Sequence, residues 1–196
     1  MALGFWMNNK NCYGCKTCSI ACKSNKQLNE GVLLRKVSCI RQDSPVDVSF
    51  LSMSCNHCED PACVKACPVE AYTKLDSGIV KQDHDKCIGC RMCIAACPYT
   101  GVRSFNWQEP AYPMDFAVGD VDVPAHQKHV VEKCTFCYQR QARGEVPACM
   151  DLCPARARYW GDLDDPDSDV SKLIREREYM QLLPEKGTKP STYYLV

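Results

Sequence analysis

Sixteen of the seventeen cysteines in this chain of 196 residues fall into four groups of four with nearly the same internal spacing. The first group, CYGCKTCSIAC, places Cys12, Cys15, Cys18 and Cys22 at C-x2-C-x2-C-x3-C. The third repeats that spacing as CIGCRMCIAACP with Cys87, Cys90, Cys93 and Cys97, followed by Pro98. The second, CNHCEDPACVKACP, lengthens one gap and carries Cys55, Cys58, Cys63 and Cys67 before Pro68. The fourth, CTFCYQRQARGEVPACMDLCP, opens a gap of eleven between its pairs, Cys137 to Cys149, and holds Cys134, Cys137, Cys149 and Cys153 before Pro154. Only Cys39 stands outside the pattern, and on a strand-like run it reads as a small buried hydrophobe.

Three thiolates within seven residues suit a compact iron–sulfur core, because a tight loop aims them at one point while its backbone N–H groups face the sulfurs. The fourth cysteine lies one helical turn on, and in two-cluster ferredoxins that position ligates the other cluster, so paired motifs exchange one ligand each. A disulfide framework fits an odd count and regular spacing poorly. Structural zinc uses two separated pairs, for which only the fourth group passes. Covalent haem requires C-x-x-C-H, which does not occur. With all sixteen positions occupied by cysteine, four [4Fe–4S] clusters are expected rather than a mixture with a [3Fe–4S] centre.

The rest of the chain agrees with a body built around such groups. Lysine plus arginine and aspartate plus glutamate both number 24, so no basic field favours nucleic acid. No run approaches the eighteen or so apolar residues of a membrane span, and the start MALGFWMNNKNC lacks a signal-peptide pattern, so export is expected to depend on a partner. Leu3–Met7 reads as a strand. Val32–Ile40 and Val46–Met53 flank a turn at Gln42–Pro45, and Tyr72–Leu75 and Ile79–Lys81 flank Asp76-Ser77-Gly78, giving two expected hairpins. Cys97 and Cys134 are separated by 36 residues against 19 between Cys67 and Cys87, which marks an insertion, read as a long ordered loop or partner-binding arm beside the plainer reading of a surface loop. Ser168 is a candidate N-cap for a helix through Val170, Leu173 and Ile174, and the end LLPEKGTKPSTYYLV reads as extended, its aromatics docking on this subunit or a neighbour.

Several other residues bear on chemistry. His57, inside CNHC, is expected to hydrogen-bond near the sulfurs rather than to ligate, and His126 and His129 of AHQKH read as solvated rather than metal-binding. Lys16, Arg91 and Lys133 either offset cluster charge or sit on the surface. No phosphate loop, dinucleotide fingerprint, nucleophile elbow or carboxylate pair is present, so no direct small-molecule substrate is expected and the simplest function is electron conduction. Loaded, the chain carries about −8 rather than zero, because sixteen thiolates outweigh four oxidised cores.

The phrases SCNHCEDPACVKACP, KCIGCRMCIAACPY, EKCTFCYQR and PACMDLCPARA resemble the electron-transfer subunits of dimethyl sulfoxide reductase-type molybdenum enzymes. The tail GDLDDPDSDVSKLIREREYMQLLPEKGTKPSTYYLV is similar to the iron–sulfur subunits of polysulfide/thiosulfate reductase and respiratory arsenate reductase. The resemblance implies an α+β fold of two interleaved bacterial-ferredoxin-like halves, with short strands, short helices and long loops around four clusters. Residues 1–54 plus 134–165 would form the first half and 55–103 the second, with an inserted loop at 104–133 and a helix and extended docking tail over 166–196. It implies one cluster on Cys12, Cys15, Cys18 and Cys153, a second on Cys22, Cys134, Cys137 and Cys149, a third on Cys55, Cys58, Cys63 and Cys97, and a fourth on Cys67, Cys87, Cys90 and Cys93. It further implies a large catalytic partner carrying a molybdenum or tungsten bis-pterin cofactor and a quinol-interacting membrane subunit, on the outer face by co-export or in the cytoplasm. A free polyferredoxin and a subunit of a formate dehydrogenase or hydrogenase are the alternatives.

Overall fold

The computed structural model describes residues 2–41, 48–111, 116, 119–120 and 122–195. Strand β1 (Leu3–Met7) is buried along its whole length, as expected of an uninterrupted apolar pentapeptide. It is the centre of a four-stranded sheet ordered β8-β1-β10-β9, where β8 is Arg158–Asp162, β9 Tyr179–Met180 and β10 Thr192–Leu195. β10 runs parallel to β1 with Phe5 opposite Thr192 and Met7 opposite Tyr194, whereas β8 pairs antiparallel with Trp6 opposite Tyr159. The extended tail therefore docks on this chain. It is also clamped to the second cysteine loop, because Glu59 and Asp60 N–H donate to the carbonyls of Lys189 and Thr188, and Ser191 N–H to that of Asn56.

Three two-stranded sheets complete the strands among the described residues. β2 (Arg35–Arg41) pairs with β3 (Val48–Ser54) from Arg35 opposite Ser54 to Arg41 opposite Val48; the expected turn at Gln42–Pro45 lies outside the described residues. Cys39 is exposed on β2, contrary to the expectation of burial, in the outer part of the strand where Ser38, Ile40 and Arg41 are exposed as well. β4 (Tyr72–Lys74) and β5 (Val80–Gln82) form the second hairpin around Gly78 at φ 77°, a conformation glycine adopts without steric cost. β6 (Arg103–Phe105) and β7 (Val131–Lys133) close the base of the 104–133 insertion. The described parts of that insertion lie against the body: Asn29 Nδ2 donates to the Glu109 carbonyl at 2.7 Å, Asp120 N–H to that of Asn25 at 3.0 Å, and Arg143 pairs with Asp120 and Asp122.

The helices are short and carry the cysteines. α1 (Thr17–Asn25) packs against α5 (Ala148–Asp151), joining the first and fourth motifs; α2 (Ala62–Lys65) packs against α3 (Met92–Ala95), joining the second and third. α4 (Tyr138–Ala142) follows Cys137. α6 (Asp169–Glu176) begins where expected, with the Ser168 hydroxyl accepting from Ser171 N–H, and packs on β8 and β1 with Val170 fully buried. Among the described residues no helix is long and apolar enough to cross a membrane.

Candidate iron–sulfur sites

The two loops with C-x2-C-x2-C spacing are built alike. In each, a glycine at positive φ, Gly14 or Gly89, precedes the middle cysteine, and a basic residue at φ 61°, Lys16 or Arg91, follows it and caps the helix. A Cβ on Gly14 would meet the Phe50 ring, and one on Gly89 the His129 carbonyl, so both loops need glycine for close approach as well as for φ. Cys15 and Cys90 are exposed at the crests of these loops, while Cys18 and Cys93 are buried in the helices below.

The cysteines meet in groups drawn from distant motifs. The Cys12 thiol is pushed up by burial, helped by Cys18 and Cys153, while the charge of Arg158 draws it down. The Tyr13 phenol has Cys15, Cys153 and Cys12 around it. Burial pushes Cys22 strongly upward, with Cys134, Cys149 and Cys137 adding to the effect. Burial lifts Cys58 to about 11, and its thiol neighbours are Cys55, Cys63 and Cys97. Those four cysteines line one cavity together with Arg103 and Thr188. Cys93 has Cys87 and Cys90 beside it, and Cys67 borders the apolar cluster that contains Cys93. Among the described residues no three His, Cys, Asp or Glu side chains lie close enough to grip a single metal ion. A cubane keeps its thiolates farther apart than a tetrahedral zinc with Zn–S bonds of about 2.3 Å.

Five cations are buried beside these thiols: Lys26, Arg35, Arg103, Lys133 and Arg158, none more than 9% exposed. Among the described residues none of them pairs with a carboxylate. Arg158 Nη2 reaches Cys18 Sγ at 3.7 Å and also Ser52 Oγ. Arg35 donates to Ser54 Oγ at 2.7 Å and lies over the Phe5 ring; burial works against its charge, but Cys149, Cys134, Cys18 and Cys22 outweigh that and raise its pKa. Among the described residues Lys26 Nζ has no hydrogen-bond partner, and its charge draws Cys22 and Cys137 down. Uncompensated buried charge is expensive, so each cation requires an anion nearby. Thiolates around an iron–sulfur core would supply that anion, and the donor set, the buried cations and the Asn56 amide, unpartnered among the described residues, beside Cys55, Cys58, Cys63 and Cys97 fit such a group.

The neighbouring polar residues differ in part from the sequence reading. Lys16 and Arg91 are exposed, Arg91 resting on Phe105 and Trp107, whereas Lys133 is buried and donates to the Cys134 carbonyl at 3.0 Å. His57 is buried between Cys55 and Cys58 and hydrogen-bonds there, its Nδ1 accepting from Val80 N–H at 3.1 Å; burial holds its pKa well below the usual histidine range, with Lys133 and Arg103 adding to the effect. His126 is 2% exposed rather than solvated, because its Nδ1 lies 2.9 Å from Glu132 and 3.1 Å from Asn106 inside the insertion. His129 is exposed. Lys26, Arg35, Arg103 and Arg158 were not singled out by the sequence, since each lies in a polar or alternating context that gives no sign of burial.

Comparison with known proteins agrees with this iron–sulfur chemistry. The family model described as a 4Fe-4S dicluster domain matches residues 46–112 and 120–163. The arsenate respiratory reductase iron–sulfur subunit of Shewanella sp. is 38% identical, over 100% of this chain and 96% of that protein. A subunit of the selenate reductase of Mesobacillus selenatarsenatis is 39% identical over 95% and 69%. A subunit of the anaerobic dimethyl sulfoxide reductase of Escherichia coli is 38% identical over 83% and 74%. This protein therefore belongs to the 4Fe–4S dicluster family, among the iron–sulfur subunits of such reductases.

Proposed function

We propose that this chain is the electron-transfer subunit of a reductase complex and holds four [4Fe–4S] clusters in the order of its quartets. Cys12, Cys15, Cys18 and Cys153 would hold the first, and Cys22, Cys134, Cys137 and Cys149 the second. Cys55, Cys58, Cys63 and Cys97 would hold the third, and Cys67, Cys87, Cys90 and Cys93 the fourth. When bound, each cluster takes up and releases one electron. The observation that carries this reading is the set of five buried cations that lie beside quartet cysteines and, among the described residues, pair with no carboxylate.

The order follows from residues shared between quartets. Arg35 lies near Cys18 of the first and Cys22, Cys134 and Cys149 of the second. Lys133 is bonded to Cys134 of the second and its charge acts on Cys63 of the third. Arg103 serves the third and also Cys93 of the fourth. The outer quartets hold the exposed Cys15 and Cys90, flanked by the exposed Tyr13 and Ile20 at one end and Ile88 and Met92 at the other. Exposed apolar residues beside a redox centre suit docking of redox partners.

The relatives, subunits of reductase complexes, support a reading of the partners. We assign a large catalytic subunit with a molybdenum or tungsten bis-pterin cofactor to one end and a quinol-interacting membrane subunit to the other. The complex then sits at the membrane, on its outer face if the catalytic subunit carries the export signal. In the purified complex, Cys93→Ser is expected to lose most turnover with the physiological donor while retaining turnover with a small-molecule donor supplied to the catalytic subunit. Unchanged turnover with the physiological donor would contradict the relay.

A further inference from the structure

β6 and β7 place Arg103 directly opposite Lys133, both buried. Like charges in register across a strand pair repel, and among the described residues neither has a carboxylate partner. Arg103 is held from one side: its guanidinium lies 5.1 Å from the Tyr72 ring centroid, and Nη1 donates to the Tyr72 hydroxyl at 3.1 Å. The same hydroxyl donates to Cys93 Sγ at 3.3 Å. On its other side Arg103 lines the cavity formed by Cys55, Cys58, Cys63 and Cys97, and its buried Nε has no partner among the described residues. A continuous path of contacts therefore runs from the third quartet through Arg103 and Tyr72 to a sulfur of the fourth.

We propose that Arg103 and Tyr72 are positioning residues that tie the reduction potentials of the third and fourth clusters together. The inference rests on the ligand sets proposed above. Reduction adds one negative charge to a cluster, and a buried guanidinium or a hydroxyl bonded to a ligand sulfur stabilises that added charge and raises the potential. Arg103 supplies the charge to the third cluster and orients the hydroxyl that bonds Cys93. Tyr72 supplies a hydrogen bond to the fourth alone.

The test is a potentiometric titration followed by EPR on the anaerobically purified holoprotein, with iron counted in every sample. Cys63→Ser and Cys93→Ser identify the waves of the third and fourth clusters. Tyr72→Phe, which keeps the ring, is expected to lower the fourth wave and leave the third in place. Arg103→Met is expected to lower both, the third by a tenfold change in its reduction equilibrium or more, about 59 mV for one electron. Arg103→Lys keeps the charge but not the fork, so it should hold the third wave near its native position and lower the fourth; this variant decides the matter if Arg103→Met fails to assemble. Variants with full iron and unmoved waves, or a Tyr72→Phe that moves both waves equally, overturn the proposal. A wild-type protein with clearly fewer than about sixteen irons overturns the ligand sets instead, and the relay with them.

Discussion

Stripped of iron by an anaerobic chelator, the protein is expected to lose its cooperative thermal transition, as metal-dependent domains do when the metal supplies the folding energy. Its apolar clusters explain why. One gathers Leu3, Phe5, Ile79, Phe136 and Met150 around Cys18 and Cys149; another gathers Tyr72, Val80 and Val131 around Cys63 and Cys93; a third is little more than Cys22, Leu28 and Leu34. Ligand positions are thus built into each of these cores. Without iron, Lys26 faces Cys22 and Cys137, and Arg103 and Lys133 face Cys63, thiols that burial pushes up, Cys137 to about 11, so the anions that justify burying those cations are lost. Differential scanning calorimetry of the chelated and reconstituted protein checks this. An apoprotein that retains a sharp transition near the holoprotein midpoint would mean that the cations are satisfied by something other than the clusters.

Removing residues 188–196 should have the second largest effect, although no cysteine is lost. β10 is the parallel neighbour of β1, and Tyr194 within it is only 1% exposed. Losing a buried aromatic side chain typically costs about 3–5 kcal/mol. At about 2–4 °C per kcal/mol for a chain of this size, the apparent midpoint should fall on the order of 10 °C. The loss should also reach the third quartet, because Thr188 lines its cavity and bonds the Tyr99 hydroxyl at 2.7 Å, and Ser191 grips the His57 carbonyl at 3.1 Å. Iron content and melting of the truncated holoprotein measure both effects. A tail that served only a partner subunit would leave both unchanged.

What the chain reveals as text is what is decided locally. The cysteine loops, the Gly78 hairpin and the Ser168 cap each depend on residues within a few positions of one another, and all three are found where the spacing put them. The pairing of β1 with β10 joins the two ends of the chain, and nothing in either strand names the other. Burial was the least legible property. Arg35 opens a strand whose outer positions are exposed, so RKVSCIR gives no hint that its first residue is 3% exposed and its cysteine is not buried. Arg103 and Lys133 are buried because two short strands carry them to the same place, a consequence of tertiary packing rather than of local pattern. His126 belongs to the same class: its partner Glu132 is only six residues away, but the turn that brings them together is made by the insertion as a whole.

Motifs far apart in sequence are proposed to exchange ligands, and Cys153 tests this most directly. Cys153 lies near Cys12 and Tyr13, although in sequence it is four residues from Cys149. An EPR-monitored potentiometric titration of the holoprotein should show Cys153→Ser altering the same wave as Cys15→Ser and leaving intact the wave altered by Cys137→Ser. If Cys153→Ser instead altered the wave of Cys137→Ser, each motif would hold its own cluster, and the exchange of ligands between distant motifs would be wrong.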